Sequence, residues 1–324
     1  MSILDDDAVV DGIRQVLQSA GGTDATALLR EFGFVDLLHE DRGAATEHVF
    51  YEQGRLGTHS HAYTDLQDAV LGSHLPGVEA TVPMSLRGGI GTPLGRFGNG
   101  TATGVGYTFG RPVQLVFMVS EGALNFAVSV ACTDPGVTLE QVHGVDPILD
   151  LWKVTVTRAP AEIVAAADAA LAWWLDAVAW GRLAFAWELV GSARTMLDQA
   201  VDHARNRVQF GQPIGTFQAV QHRLADTLVA IEGAHAVLNS VEQPLDPIAT
   251  ATAKSLAGRA FEVAAKNCLQ VLGGIGFTTE HPFDKHLRRG SGLNKLLGSR
   301  SDLVLCLGRN ILEFGSVPAL SRLG

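Results

Sequence analysis

Cysteine is scarce: three residues in 324, Cys132, Cys268 and Cys306, far apart in the chain. That excludes a disulfide framework and a thiolate zinc site, and reads as inert thiols in a reducing compartment. Charge is scarce too, at 18% of residues, and it leans acidic: 34 Asp+Glu against 24 Lys+Arg, net −10. No basic stripe is present, which argues against a nucleic-acid binder. No apolar run reaches the ~20 residues needed to span a bilayer before a charge interrupts it. The opening MSILDDDAVV has neither a basic n-region nor an apolar h-region, so no secretory signal is expected there. Together these absences predict a cytoplasmic protein.

What is abundant is apolar. Hydrophobic residues make up 47% of the chain and the mean hydropathy is +0.18, enough for a sizeable core. So few charges mean either that much of the chain is internal or that much of its outside is covered by another subunit. Val9, Ile13, Val16 and Leu17 make a first helical stripe, and Leu28, Leu29 and Phe32 continue after a Gly-Gly break. From Pro76 to about Arg158, glycine clusters alternate with β-rich runs, 113–119 and 153–157. Beyond Ala159 the chain is Ala- and Leu-rich. Leu183, Ala186, Trp187, Val190, Ala193, Leu197, Ala200 and Val201 line one helical face. Further long helices are expected along Val220–Leu238, from Pro247 to Leu272, and through Val304, Leu307, Ile311 and Phe314. The expected fold is α+β, mainly α. It has an N-terminal helical region (1–75), a reduced middle β-domain (76–160) and a C-terminal antiparallel four-helix bundle (161–324).

Two segments of the bundle carry more specific information. Residues 204–227 read ARNRVQFGQPIGTFQAVQHRLADT, and residues 270–289 read QVLGGIGFTTEHPFDKHLRR. In content, order and spacing they resemble the acyl-CoA dehydrogenase family. The resemblance covers most of the chain but is weak before residue 160. It implies a helix–β–bundle fold, tetrameric assembly, FAD, and α,β-dehydrogenation of an acyl-CoA thioester with electrons passed to an electron-transfer flavoprotein. It places Arg207, Gln209, Phe210, Gln270, Gly273, Gly274 and Gly276 at cofactor contacts that reach into a neighbouring subunit. Their chemistry agrees. Arg207 is a planar fork suited to pyrophosphate, Phe210 offers an apolar face, and the glycines let backbone N–H groups approach anionic oxygens.

The family's base does not appear. Counting on from Arg288, its usual glutamate falls on Leu297, with Gly298 and Ser299 still fitting the residues that follow. The alternative base position, on the first bundle helix, falls on Gly181, followed by Arg182. Glu188 is the nearest carboxylate on that helix, two turns along the same face and ~10 Å away. The family's Ser/Thr-Glu…Gly-Ser-Asp type flavin motif has no counterpart in 76–158, and Arg289 stands where an acidic residue is usual.

What is kept serves a neighbour's FAD, and what is lost serves the chain's own site. This chain therefore resembles the non-catalytic subunit of an α2β2 acyl-CoA dehydrogenase, of the actinobacterial kind that acts on steroid CoA thioesters. No residue of its own is expected to be catalytic. The alternatives are a self-sufficient homomeric enzyme using Glu188 as base, and a non-enzymatic CoA-ester-binding or scaffold protein. His59 and His61 lie two apart with no third ligand nearby in sequence and read as loop residues, so no metal is expected. Solvated or capping roles are expected for His281 and His286. Trp173, Trp174, Trp180 and Trp187 read as core, with a subunit interface as the alternative.

Overall fold

The computed structural model describes residues 7–21, 23–87, 89–144 and 146–315. Five helices come first: α1 (Asp7–Ser19), α2 (Thr26–Phe32), α3 (Phe34–Glu40), α4 (Arg42–Leu56) and α5 (Ala62–His74). Ile13 and Leu17 of the α1 stripe are fully buried. Helix α2 stops at Gly33, whose φ of 97° is the left-handed geometry that glycine adopts without strain. Asp41 starts α4 by accepting from the Ala44 N–H.

Seven strands follow in one mixed sheet: β1 (Gly95–Gly98), β2 (Thr101–Phe109), β3 (Gln114–Glu121), β4 (Leu124–Ala131), β5 (Val137–Gln141), β6 (Leu151–Pro160) and β7 (Glu162–Ala166). The order is β5-β6-β2-β1-β3-β4-β7. The β1–β3 pairing is parallel and the others antiparallel. Leu115 to Val119 are all buried, so β3 is covered on both faces, and an unbroken apolar run is what such a strand requires.

The C-terminal part consists of α6 (Ala167–Asn206), α7 (Gln218–Asn239), α8 (Pro247–Leu272), α9 (Phe283–Leu293) and α10 (Arg300–Phe314). A short ribbon, β8 (Val208–Gln209) and β9 (Gln212–Pro213), joins α6 to α7. Asp246 caps α8, with Pro247 in its first turn. A reciprocal Ser299–Asp302 capping box opens α10. The mainly helical α+β architecture is the one expected from sequence. Two details differ. The strand layer runs on to Ala166, and a separate helix, α9, precedes α10 where a single last helix was expected.

Helix α6 is the spine. Every residue from Ala179 to Ala193 is buried, and the helix packs against α4, α5, α7, α8, α9 and the sheet. The four tryptophans Trp173, Trp174, Trp180 and Trp187 are at most 3% exposed; they pack the core of this chain rather than a subunit interface. Helix α7 buries only Thr227, Ile231, Ala234 and Leu238, and it presents Val229 at 72% exposure.

Candidate cofactor and substrate site

The expected site residues fall at two separate places. Arg207, Gln209 and Phe210 occupy the end of α6 and its ribbon, all three exposed. Val208 pairs with Pro213 and Gln209 with Gln212. That leaves Phe210 and Gly211 at the turn with φ of 53° and 80°, the double left-handed geometry of a tight hairpin. A phenylalanine held in that conformation is strained. Its ring is 92% exposed, edge-on to Phe217 at 6.1 Å.

Gln270 and the Gly273–Phe277 turn end α8. The α8 end and the start of α7 are tied by Asn267, which donates to the Arg223 carbonyl and the Thr227 hydroxyl. The ribbon and the glycine turn therefore share one end of the bundle. A Cβ at Gly273 or Gly274 would meet nothing within 4 Å, whereas one at Gly276 would strike Leu269 and Leu272. Gly276 packs the turn, and the other two leave open backbone. An exposed guanidinium, an amide, an apolar ring and open glycine backbone fit the phosphates and flat ring of an adenosine diphosphate group.

Gly181 and Leu297 lie at the other place, and they touch. A Cβ at Gly181 would lie 2.5 Å from Leu297 Cδ1 and 3.0 Å from the Tyr63 hydroxyl. Leu297 is 3% exposed. Tyr63, beside Gly181, stacks on Phe185 at 4.8 Å and meets Phe109 edge-on at 5.5 Å. Leu297 has φ 56° and Gly298 φ 103°. The turn is held through its backbone. The Leu297 N–H donates to the Ser85 carbonyl at 2.6 Å, Arg182 Nε donates to the Leu297 carbonyl at 3.2 Å, and Lys254 Nζ donates to the Gly298 carbonyl at 3.0 Å. Both cations are buried. Burial pushes Arg182 down to about 10. Burial, followed by repulsion from Arg182, pushes Lys254 down to about 7. No carboxylate is among these contacts.

Glu188 is an internal ion-pair partner. It is 1% exposed, it forms an ion pair with Arg289 Nε, and it accepts from Gln53 Nε2 at 3.1 Å. Burial raises its pKa, and Arg289 opposes that shift. With both oxygens engaged and sealed from solvent, it pins α6 to α9 and α4. Arg289, the residue out of keeping in its motif, is this carboxylate's counter-ion.

The histidines divide, His281 keeping its expected role and His286 departing from it. His281 Nδ1 accepts from the Phe283 N–H at 3.1 Å, a capping role. His286 is 1% exposed, and burial pushes it down to about 3, so it is not solvated. The fold brings a third polar group to His59 and His61: Asp24, whose segment bridges to His59, has its carboxylate beside both rings. Burial, then Arg289, pushes His59 down to about 4. Among the described residues no helix is long and apolar enough to cross a membrane.

The family model described as "Acyl-CoA dehydrogenase, C-terminal domain" matches residues 171–310, the span that holds both places. Residues 171–310 thus carry the C-terminal domain of the acyl-CoA dehydrogenases. "Acyl-CoA dehydrogenase IpdE2" of Mycobacterium tuberculosis is 38% identical over 126 residues, 39% of this chain and 40% of that one. "Acyl-CoA dehydrogenase FadE34" of the same organism is 36% identical over 197 residues, 58% of this chain and 26% of that one. The chain thus spans 40% or less of the length of these curated acyl-CoA dehydrogenases. Among solved structures, the ChsE4-ChsE5 complex from Mycobacterium tuberculosis matches at TM-score 0.77 and 18% identity, covering 97% of this chain and 98% of that one. The "Tcur3481-Tcur3483 steroid ACAD G363A variant" matches at TM-score 0.77 and 22% identity, covering 96% and 98%. At these identities the likeness shows the acyl-CoA dehydrogenase fold over nearly the whole chain.

Proposed function

We propose that this chain is the non-catalytic subunit of a heteromeric, FAD-dependent acyl-CoA dehydrogenase, completing the cofactor site of a homologous partner that supplies the base. The observation that carries this reading is the separation of the two places. Along helix α6, Gly181 is separated from the cap at Arg207 by about 39 Å at 1.5 Å per residue. A cofactor held by Arg207, Gln209 and Phe210 therefore has its centre elsewhere than at the Gly181–Leu297 contact.

The two family positions for a base must converge on one reacting carbon, and in this chain they meet as a glycine under a leucine. Neither accepts a proton, and the space between them is filled by Leu297 and Tyr63. At the far end, Arg207 would hold the pyrophosphate, Gln209 and Gln270 would bond its surroundings, and Phe210 would cover the adenine or the chain. Bound FAD would supply the hydride acceptor. This chain's contribution is to hold it, while the acyl-CoA occupies mainly the partner's pocket and electrons leave to an electron-transfer flavoprotein. Of the two structural neighbours, one is the ChsE4-ChsE5 complex and the other a Tcur3481-Tcur3483 steroid ACAD. That supports a heteromer, and a steroid-derived CoA thioester as the substrate class.

The test is expression of the chain alone and together with its partner. Alone, it is expected to retain little flavin; the complex is expected to be yellow, with about half a flavin per chain as an α2β2 assembly requires. Arg207→Ala in the complex should weaken flavin retention about tenfold or more, the cost of a lost charge-assisted hydrogen bond. One tightly bound flavin per isolated chain, or unchanged flavin content in the Arg207 variant, would overturn the proposal.

A further inference from the structure

We propose that Asp24, His59 and His61 form a binding site for a divalent transition-metal ion of the zinc class. One donor atom from each lies within 4.8 Å of the others. His61 Nε2 stands 4.0 Å from Asp24 Oδ2, and the two imidazoles meet edge-on at 5.4 Å. Ligands bound to zinc at 2.0–2.1 Å lie roughly 3.3–3.4 Å apart in a tetrahedron. The set therefore closes by small side-chain rotations.

The frame around these donors is already built. The edge-on meeting of the two rings puts both histidines on one side. Asp24 arrives from the α1–α2 connection through a parallel bridge to His59. The Ala25 N–H donates to the His59 carbonyl at 2.8 Å, and the His61 N–H donates to Thr26 Oγ1 at 2.7 Å. Thr26 donates through its N–H and its hydroxyl to Asp24 Oδ1. That fixes the carboxylate and leaves Oδ2 for a metal. Asp24 and His61 side chains are 49% and 27% exposed, which gives an ion a way in. Two imidazoles and one carboxylate leave at least one position for water, an open set.

One contact works against binding. Arg289 Nη1 lies 3.3 Å from His59 Nδ1. A guanidinium only donates, so His59 Nδ1 accepts and Nε2 carries the ring proton. Ligation through Nε2 must shift that proton to Nδ1 and displace the Arg289 contact, because the group behind the ring is a cation where metal-bound histidines usually find an acceptor. The charge of Arg289 is answered by Glu188 and, at 4.0 Å, Asp146. The expected affinity is therefore micromolar, and the ion would clip the α1–α2 connection to the α4–α5 connection.

The test uses the full chain, stripped with a chelator and titrated with Zn²⁺ and Co²⁺. Expected are one ion per chain, a visible cobalt band diagnostic of nitrogen–oxygen ligation, and a higher Tm on loading. His61→Ala and Asp24→Asn, the latter keeping its contact with Thr26, should each weaken binding at least about tenfold. His74→Ala, which removes an exposed histidine paired with Asp176, should leave it unchanged. Absence of saturable binding below about 1 mM, or equal affinity in the His61 variant, would overturn the site.

Discussion

Removing the guanidinium of Arg289 would leave the Glu188 carboxylate sealed between three helices with only Gln53 to answer it. A buried charge stripped of its partner costs about 3–5 kcal/mol, whereas removing both charges is often close to neutral. Arg289→Met is therefore expected to lose stability in that range, and Glu188→Gln with Arg289→Met to regain most of it, measured by denaturant unfolding. Additive losses in the double variant would show that the pair is not coupled. Here the sequence was only half legible. Arg289 stood out as foreign to its motif and Glu188 as a carboxylate on the base's face, but the partners are 101 positions apart and nothing local links them. Asp24 escaped for the same reason, since its approach to His59 exists only through backbone pairing between two connections.

Helices α4 and α6 cross with almost no space between their backbones. A Cβ at Gly54 would sit 2.1 Å from the Glu188 carbonyl oxygen, and one at Gly191 2.2 Å from that of Tyr51. Backbone cannot yield as a flexible side chain does. Gly54→Ala and Gly191→Ala are each expected to destabilise by about 1–3 kcal/mol, with the pair losing less than the sum because both force the same two helices apart. Thermal unfolding of the two singles and the double checks this; neutral singles would mean that the helices re-space freely. The spine's existence was legible from its apolar stripe between Leu183 and Val201, but its complete enclosure was not. A residue such as Ser192, buried at 1%, looks polar until its hydroxyl is seen donating to the Gly54 carbonyl. Helix α9 was hidden by Gly290 and Gly292, poor helix formers. Gly290 is needed because a Cβ there would strike Phe261 at 2.1 Å, so packing overrides propensity.

At the scale of the whole chain, the shortage of charge has a location. Phe210 and Phe277 are 92% and 75% exposed at the far end of the bundle, Val229 stands out on α7, and Leu305 and Leu312 are 61% and 87% exposed on α10. The centre is the opposite: the Leu297 turn is buried, and its amide is bonded to the Ser85 carbonyl at 2.6 Å. Such a division predicts where a partner is felt. Amide exchange reports local opening, which is slow where hydrogen bonds are enclosed and fast where they face water. If a homologous chain covers the end of the bundle, exchange at 207–213 and 273–278 should slow markedly on forming the complex. The 295–299 turn, already closed in the chain alone, should change little. Both outcomes come from one hydrogen-exchange comparison of the isolated chain and the complex. Protection confined to the 295–299 turn, with the ribbon and the glycine turn still exchanging freely, would place the shared site at the Gly181–Leu297 contact and remove the basis for a cofactor clamp at the far end.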